Sequence, residues 1–165
     1  MIAITSERVL YTCCFIGHRE INESEELKKQ LREVIEKLIG EEKVDTFLFG
    51  SKSRFDSLCL ELVTETKEKY PHIKRVYVRA EYPYISEKYK KYLLESYDDT
   101  YYPEKIKGAG KAAYVKRNCE MIKQSRICVF YYDKSYNPAT RNSGTKMALD
   151  YALKYKKTVI RVNLQ

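Results

Sequence analysis

Three short segments of the chain combine glycine with hydroxyl and basic side chains: Gly17-His18-Arg19, Gly50-Ser51-Lys52-Ser53-Arg54-Phe55-Asp56 and Asn142-Ser143-Gly144-Thr145. These residue types suit the binding of an anion. Glycine lets the backbone approach a phosphate closely. Free N–H groups at a helix start, together with the helix dipole, attract negative charge. Arg19, Lys52 or Arg54 would neutralise it, arginine through a bidentate fork. His18 has an ordinary pKa near neutrality and is the candidate acid or base; a structural, hydrogen-bonded histidine is the plainer alternative. Asp56 suits either the acceptance of ribose hydroxyls or the capping of a helix. Gly17 also reads as a simple strand stop, and Ser143-Gly144-Thr145 as an ordinary helix cap. Neither G-x-G-x-x-G nor G-x-x-x-x-G-K-[ST] occurs, so no dinucleotide fingerprint or Walker loop is supported.

The elements around these segments alternate. Residues 9–16 form a β-prone apolar run that stops at Gly17. Ser24 precedes a helical pattern of Leu27, Leu31, Val34, Ile35, Leu38 and Ile39, with Gly40 just past its end. A second strand is expected at 45–49, a helix from Asp56 to about residue 70, and a third strand at 75–79. A helix over 112–125, a strand over 127–132, a helix opening at Gly144 and a strand over 158–162 complete the pattern. Short connections between alternating strands and helices predict a single α/β domain over residues 1–165. The expected architecture is a Rossmann-like three-layer α/β/α sandwich with a mainly parallel sheet of about five strands. In such a sheet ligands bind beyond the carboxyl ends of the strands, where the three segments fall. Residues 81–110 break the rhythm. Seven tyrosines from Tyr82 to Tyr102 crowd there among Lys and Glu, which reads as an inserted connection or lid holding one helix near 86–96.

Composition narrows the class. A chain of 165 residues with 44% hydrophobic and 33% charged residues is a globular domain that needs no disulfide or metal to fold. No apolar run approaches a membrane span and no export signal is evident, so the cytoplasm is the expected compartment. The five cysteines show no C-x-x-C spacing, and two histidines are too few to complete a zinc site; buried free thiols are expected. The net charge is +8. Residues 1–80 carry 14 basic and 14 acidic residues, whereas residues 81–165 carry 17 and 9, so the whole excess lies in the second half. Such a bias fits an anionic partner or a solvated lysine-rich surface.

At Cys13-Cys14-Phe15-Ile16-Gly17-His18-Arg19 the chain resembles the YpsA-like family of the SLOG superfamily of Rossmann-like domains, whose first strand ends Gly-His-Arg. Residues 49–56 resemble its second motif, a glycine-rich turn running into an aromatic residue and Asp. Arg117-Asn118, Ser125 and the strand after it resemble the family's Arg-Asn helix, and Ser143-Gly144-Thr145 its Gly-Gly-Thr turn. Lys157-Thr158-Val159-Ile160 resembles the closing strand. The resemblance implies a pocket for nucleotide-type molecules lined by Gly17, His18, Arg19, Gly50, Ser51, Lys52, Asp56, Arg117, Asn118, Ser143, Gly144 and Thr145. Arg117 and Asn118 either reach that pocket or form a solvated face.

Two departures from the family stand out. Phosphoribohydrolase relatives carry a catalytic Glu three residues after the Gly-Thr turn, and here that position is Ala148. Asp150 lies two residues further and points elsewhere on a helix. Where relatives have several glycines, this chain has Ser51, Lys52 and Ser53. The expected function is therefore binding of a nucleotide or ADP-ribose-type phosphate ligand, as a sensor or sequestering domain, with no certain cofactor. The alternatives are a nucleotide-processing hydrolase and a DNA- or RNA-binding protein that uses the basic half and the tyrosines. A homodimer is expected by analogy.

Overall fold

The computed structural model describes residues 5–135 and 144–162. Six strands form one sheet: β1 Thr12–Gly17, β2 Thr46–Phe49, β3 Lys74–Val78, β4 Asp99–Tyr101, β5 Ile127–Tyr131 and β6 Thr158–Val162. Their order is β4-β3-β2-β1-β5-β6, and every neighbouring pair is parallel. The chain builds outward from β1 to β4, then crosses over to add β5 and β6 on the other side. The order therefore reverses at β1, and the crevice between the β1 and β5 ends is the natural ligand position of an open parallel sheet.

The helices are α1 Ser6–Val9, α2 Glu25–Gly40, α3 Arg54–Lys69, α4 Glu87–Leu93, α5 Ala113–Lys123 and α6 Gly144–Lys154. β1, β2 and β5 are buried on both faces, as their unbroken apolar runs require. Alternate residues feed opposite cores. Cys13 and Phe15 join Leu31, Ile35, Phe55 and Leu62 of α2 and α3, while Cys14 and Ile16 join Met121, Ile122, Ala148 and Ala152 of α5 and α6. Phe15 stacks on both Phe47 and Phe49, at 5.8 and 5.4 Å, which locks β1 to β2.

Local chemistry sets the boundaries. Ser24 caps α2 by accepting from the Leu27 N–H at 3.0 Å, and Glu25 and Glu26 sit in the first turn, where the dipole favours them. Gly40 lies inside the helix as its last residue, and Lys43 takes a left-handed conformation beyond it. β1 begins at Thr12, three residues later than the apolar run predicts. Thr5 caps a single turn at Ser6–Val9, the Thr12 hydroxyl donates to the Arg8 carbonyl at 2.7 Å, and Arg8 pairs with Asp45. These bonds curl residues 6–9 away from the sheet and leave Leu10 half exposed. The tyrosine-rich excursion holds α4, shorter than expected, and the sixth strand β4 on the sheet edge. All five cysteines are free thiols, four of them buried. No helix among the described residues is long and apolar enough to cross a membrane.

Candidate functional site

A cavity of ≈ 1110 Å³ opens at the carboxyl ends of the strands, spanning the turns after β1, β2 and β3 and the helices α5 and α6. Gly17, His18 and Arg19 enter it from β1, Gly50, Ser51 and Lys52 from β2, and Arg117, Asn118, Gly144 and Thr145 from α5 and α6. Ten of the twelve expected site residues thus share one hollow. Ser143 lies outside the described residues, and Asp56 does not line the cavity.

The two strand-end glycines are required by packing. A Cβ on Gly17 would sit 2.3 Å from the Phe55 ring, so β1 can lie against α3 only with glycine there. A Cβ on Gly50 would fall 2.6 Å from Met121 Sδ and 2.7 Å from Arg117 Cδ. The glycine admits the Arg117 side chain from α5 across the end of β2. Its Nη1 donates to the Gly50 carbonyl and, at 3.4 Å, to the Val78 carbonyl, while Nε donates to Asn118 Oδ1 at 3.0 Å. Arg117 therefore ties together the ends of β2 and β3. Nη2 makes no protein hydrogen bond among the described residues. Burial leaves Arg117 only 4% exposed and lowers its pKa, with the nearby Asp56 pulling the other way. The Tyr114 ring lies 5.9 Å from the guanidinium carbon.

Asp56 is buried in the first turn of α3. Ser53, not Asp56, caps that helix, its hydroxyl accepting from the Asp56 N–H at 3.1 Å. Burial pushes the Asp56 carboxyl up to about 8, opposed by Arg117 and by the Gly50 and Ser51 amides. Its Oδ1 has no hydrogen-bond partner among the described residues. Burial thus favours the protonated acid, which weakens its compensation of the Arg117 charge. The start of α3 is also less open than the sequence implies. The Arg54 N–H donates to the Arg19 carbonyl at 2.8 Å, and the Arg54 guanidinium pairs with Glu23 at 2.7 Å, turned away from the cavity it was expected to serve.

His18 is 2% exposed. Its Nε2 accepts from the Asp133 N–H at 2.9 Å, which links the turn after β1 to that after β5. Burial lowers its pKa, the Asp133 carboxylate opposing. The imidazole is therefore neutral at physiological pH, with Nε2 committed as an acceptor.

The end of β3 supplies residues that the sequence reading passed over. Tyr77, Arg79, Ala80, Glu81 and Tyr82 line the cavity, joined by Tyr89 of α4. Arg79 is buried and donates to Tyr82 O at 3.2 Å, Thr100 Oγ1 at 3.0 Å and Pro83 O at 3.5 Å. Those bonds hold Tyr82 at φ 59, a left-handed conformation that costs a bulky residue about 1–3 kcal/mol. The signal was available, since a strand was expected at 75–79 and its carboxyl end obeys the same rule as the others. In charge, the lining among the described residues sets Arg19, Lys52, Arg79 and Arg117 against one carboxylate, Glu81. That balance gives the partly desolvated hollow a positive potential. No cluster of three or more His, Cys, Asp or Glu groups suited to a metal occurs among the described residues.

A family model described as the YspA SLOG family, YpsA, matches residues 14–165. The chain belongs to the YpsA family of SLOG domains. No curated protein matches it. The YpsA match begins inside β1 and takes in every turn that lines the cavity. The position three residues after Thr145 in this YpsA domain is Ala148, 3% exposed and packed in the core beneath α6. Asp150 faces outward and pairs with Lys146 at 2.7 Å.

Proposed function

We propose that this domain binds a nucleotide or a nucleotide-derived phosphate ligand, such as an ADP-ribose-type molecule, in the cavity at the strand ends. The observation that carries the reading is the convergence of Arg19, Lys52 and Arg117, from three different parts of the chain, on one hollow lined by one carboxylate among the described residues. The buried Arg117 contributes most, because a guanidinium whose Nη2 makes no hydrogen bond among the described residues, set in a low-dielectric wall, attracts a phosphate more strongly than a solvated lysine does. Binding without turnover is the favoured form. Of the positions that the sequence singled out for acid–base work, Ala148 offers no ionisable group, the Asp56 carboxyl is outside the cavity, and His18 Nε2 is occupied by a backbone amide. The test is thermal unfolding of the full chain with nucleoside mono- and diphosphates, ADP-ribose and pyrophosphate. Binding raises Tm by mass action, and no rise with any of them at millimolar concentration sinks the proposal.

A nucleic-acid strand is the second reading, favoured by the run of Tyr82, Tyr89 and Tyr92, whose successive ring centroids are 6.1 Å apart beside Lys88, Lys90 and Lys91. Salt-sensitive binding of a single-stranded oligonucleotide would support it, and no mobility shift at low salt would remove it.

A further inference from the structure

Resting on the nucleotide reading, we propose that Tyr82 is the stacking surface for a planar base in this cavity. The ligand is then a base-bearing nucleotide and not a phosphosugar or a bare polyphosphate. A tyrosine is a poor choice for a left-handed position, where glycine or asparagine costs less. Tyr82 nevertheless stands there, held by Arg79 through the Tyr82 and Pro83 carbonyls. Arg79 is itself anchored by Thr100, whose hydroxyl donates to the Tyr77 carbonyl at 2.8 Å. The strained turn is thus built on the ends of β3 and β4.

Tyr82 as a residue is 57% exposed, so core packing does not explain its size. It meets the Tyr89 ring edge to face, at 6.1 Å and 79°, which steadies it without covering it. Both rings line the cavity. An ordered aromatic surface left open on a binding wall is what a base requires, since every base has a face to stack. Glu81 precedes Tyr82 on the same wall, and its carboxylate repels phosphate while accepting from ribose hydroxyls or a base amino group. Arg19, Lys52 and Arg117 in the same lining attract the phosphates, and ≈ 1110 Å³ accommodates base, sugar and phosphates together.

The test is calorimetric titration of the full chain with the common ribonucleoside diphosphates, ribose 5-phosphate and pyrophosphate. It uses the wild type, Tyr82→Asn and Tyr82→Phe. Asparagine tolerates the left-handed conformation but offers no ring, so that variant keeps or raises its Tm. At least one diphosphate is expected to bind wild type more tightly than ribose 5-phosphate or pyrophosphate. Tyr82→Asn weakens that nucleotide about tenfold and leaves the two base-free ligands unchanged. Tyr82→Phe retains wild-type affinity. Equal nucleotide affinity in Tyr82→Asn and wild type overturns the stacking role while leaving nucleotide binding intact, as does an equal loss for pyrophosphate. Failure of every compound to bind wild type overturns the nucleotide reading and this inference with it.

Discussion

The guanidinium of Arg117, carried on α5, donates to the carbonyl of Gly50 at the end of β2. That contact exists because residue 50 lacks a side chain, and it ties the wall of the cavity to the sheet. One residue thus holds two strand ends together and presents a positive charge to the site.

Arg117→Met should separate these roles from simple bulk. It keeps much of the side-chain volume but leaves the Gly50 and Val78 carbonyls without this donor, at a cost of about 2–3 kcal/mol. Phosphate-ligand affinity should fall at least about tenfold. Urea unfolding and calorimetry read the two effects. Unchanged affinity in the folded variant would remove Arg117 from the site.

Asp56 should make stability depend on pH in a definite direction. Its folded pKa, about 8, lies above the ordinary 3.8, so the folded state holds the proton more tightly. Its stabilising contribution is complete below about pH 4 and is lost as pH rises towards 8. Between pH 6.5 and 8 the wild type should therefore weaken, whereas Asp56→Asn should stay level. Urea midpoints at the two pH values check this, and parallel behaviour of the two proteins would contradict it.

His18 works in the opposite sense. Its folded pKa lies below the ordinary 6.5, so its contribution is complete above that value and is lost as pH falls through the lowered one. An NMR titration of the imidazole should show it neutral at pH 6.5. A midpoint above 6.5 would show that burial does not govern it.

Gly17→Ala should destabilise by about 2 kcal/mol through overpacking against Phe55. The penalty should shrink in a Phe55→Leu background, because residues in contact do not act additively. Equal penalties in both backgrounds would show that Phe55 is not the obstacle.

Much of this architecture is legible in the residues themselves. The runs ending at Gly17 and Phe49 and the helical spacing from Leu27 to Ile39 specify strands and a helix because their burial patterns follow local periodicity. β4 escapes that logic. It has three residues and one buried side chain, and only pairing with β3 makes it a strand. Tyr82 escapes it too, since its left-handed backbone is imposed by Arg79 and not by its own preference. The glycines were legible as special positions, but their reason was not. Contact with Phe55 or Arg117 depends on helices that reach the strand ends only in the folded chain.

The location of the ligand is the central claim, and amide chemical-shift mapping tests it most directly. Titration of the nitrogen-15-labelled chain with ADP-ribose or a nucleoside diphosphate should move the resonances of Gly17, Lys52, Arg117 and Thr145 together, at one common affinity, and leave Glu36 and Asp150 in place. Movement confined to residues away from the strand ends, or no movement at saturating ligand, would contradict the account.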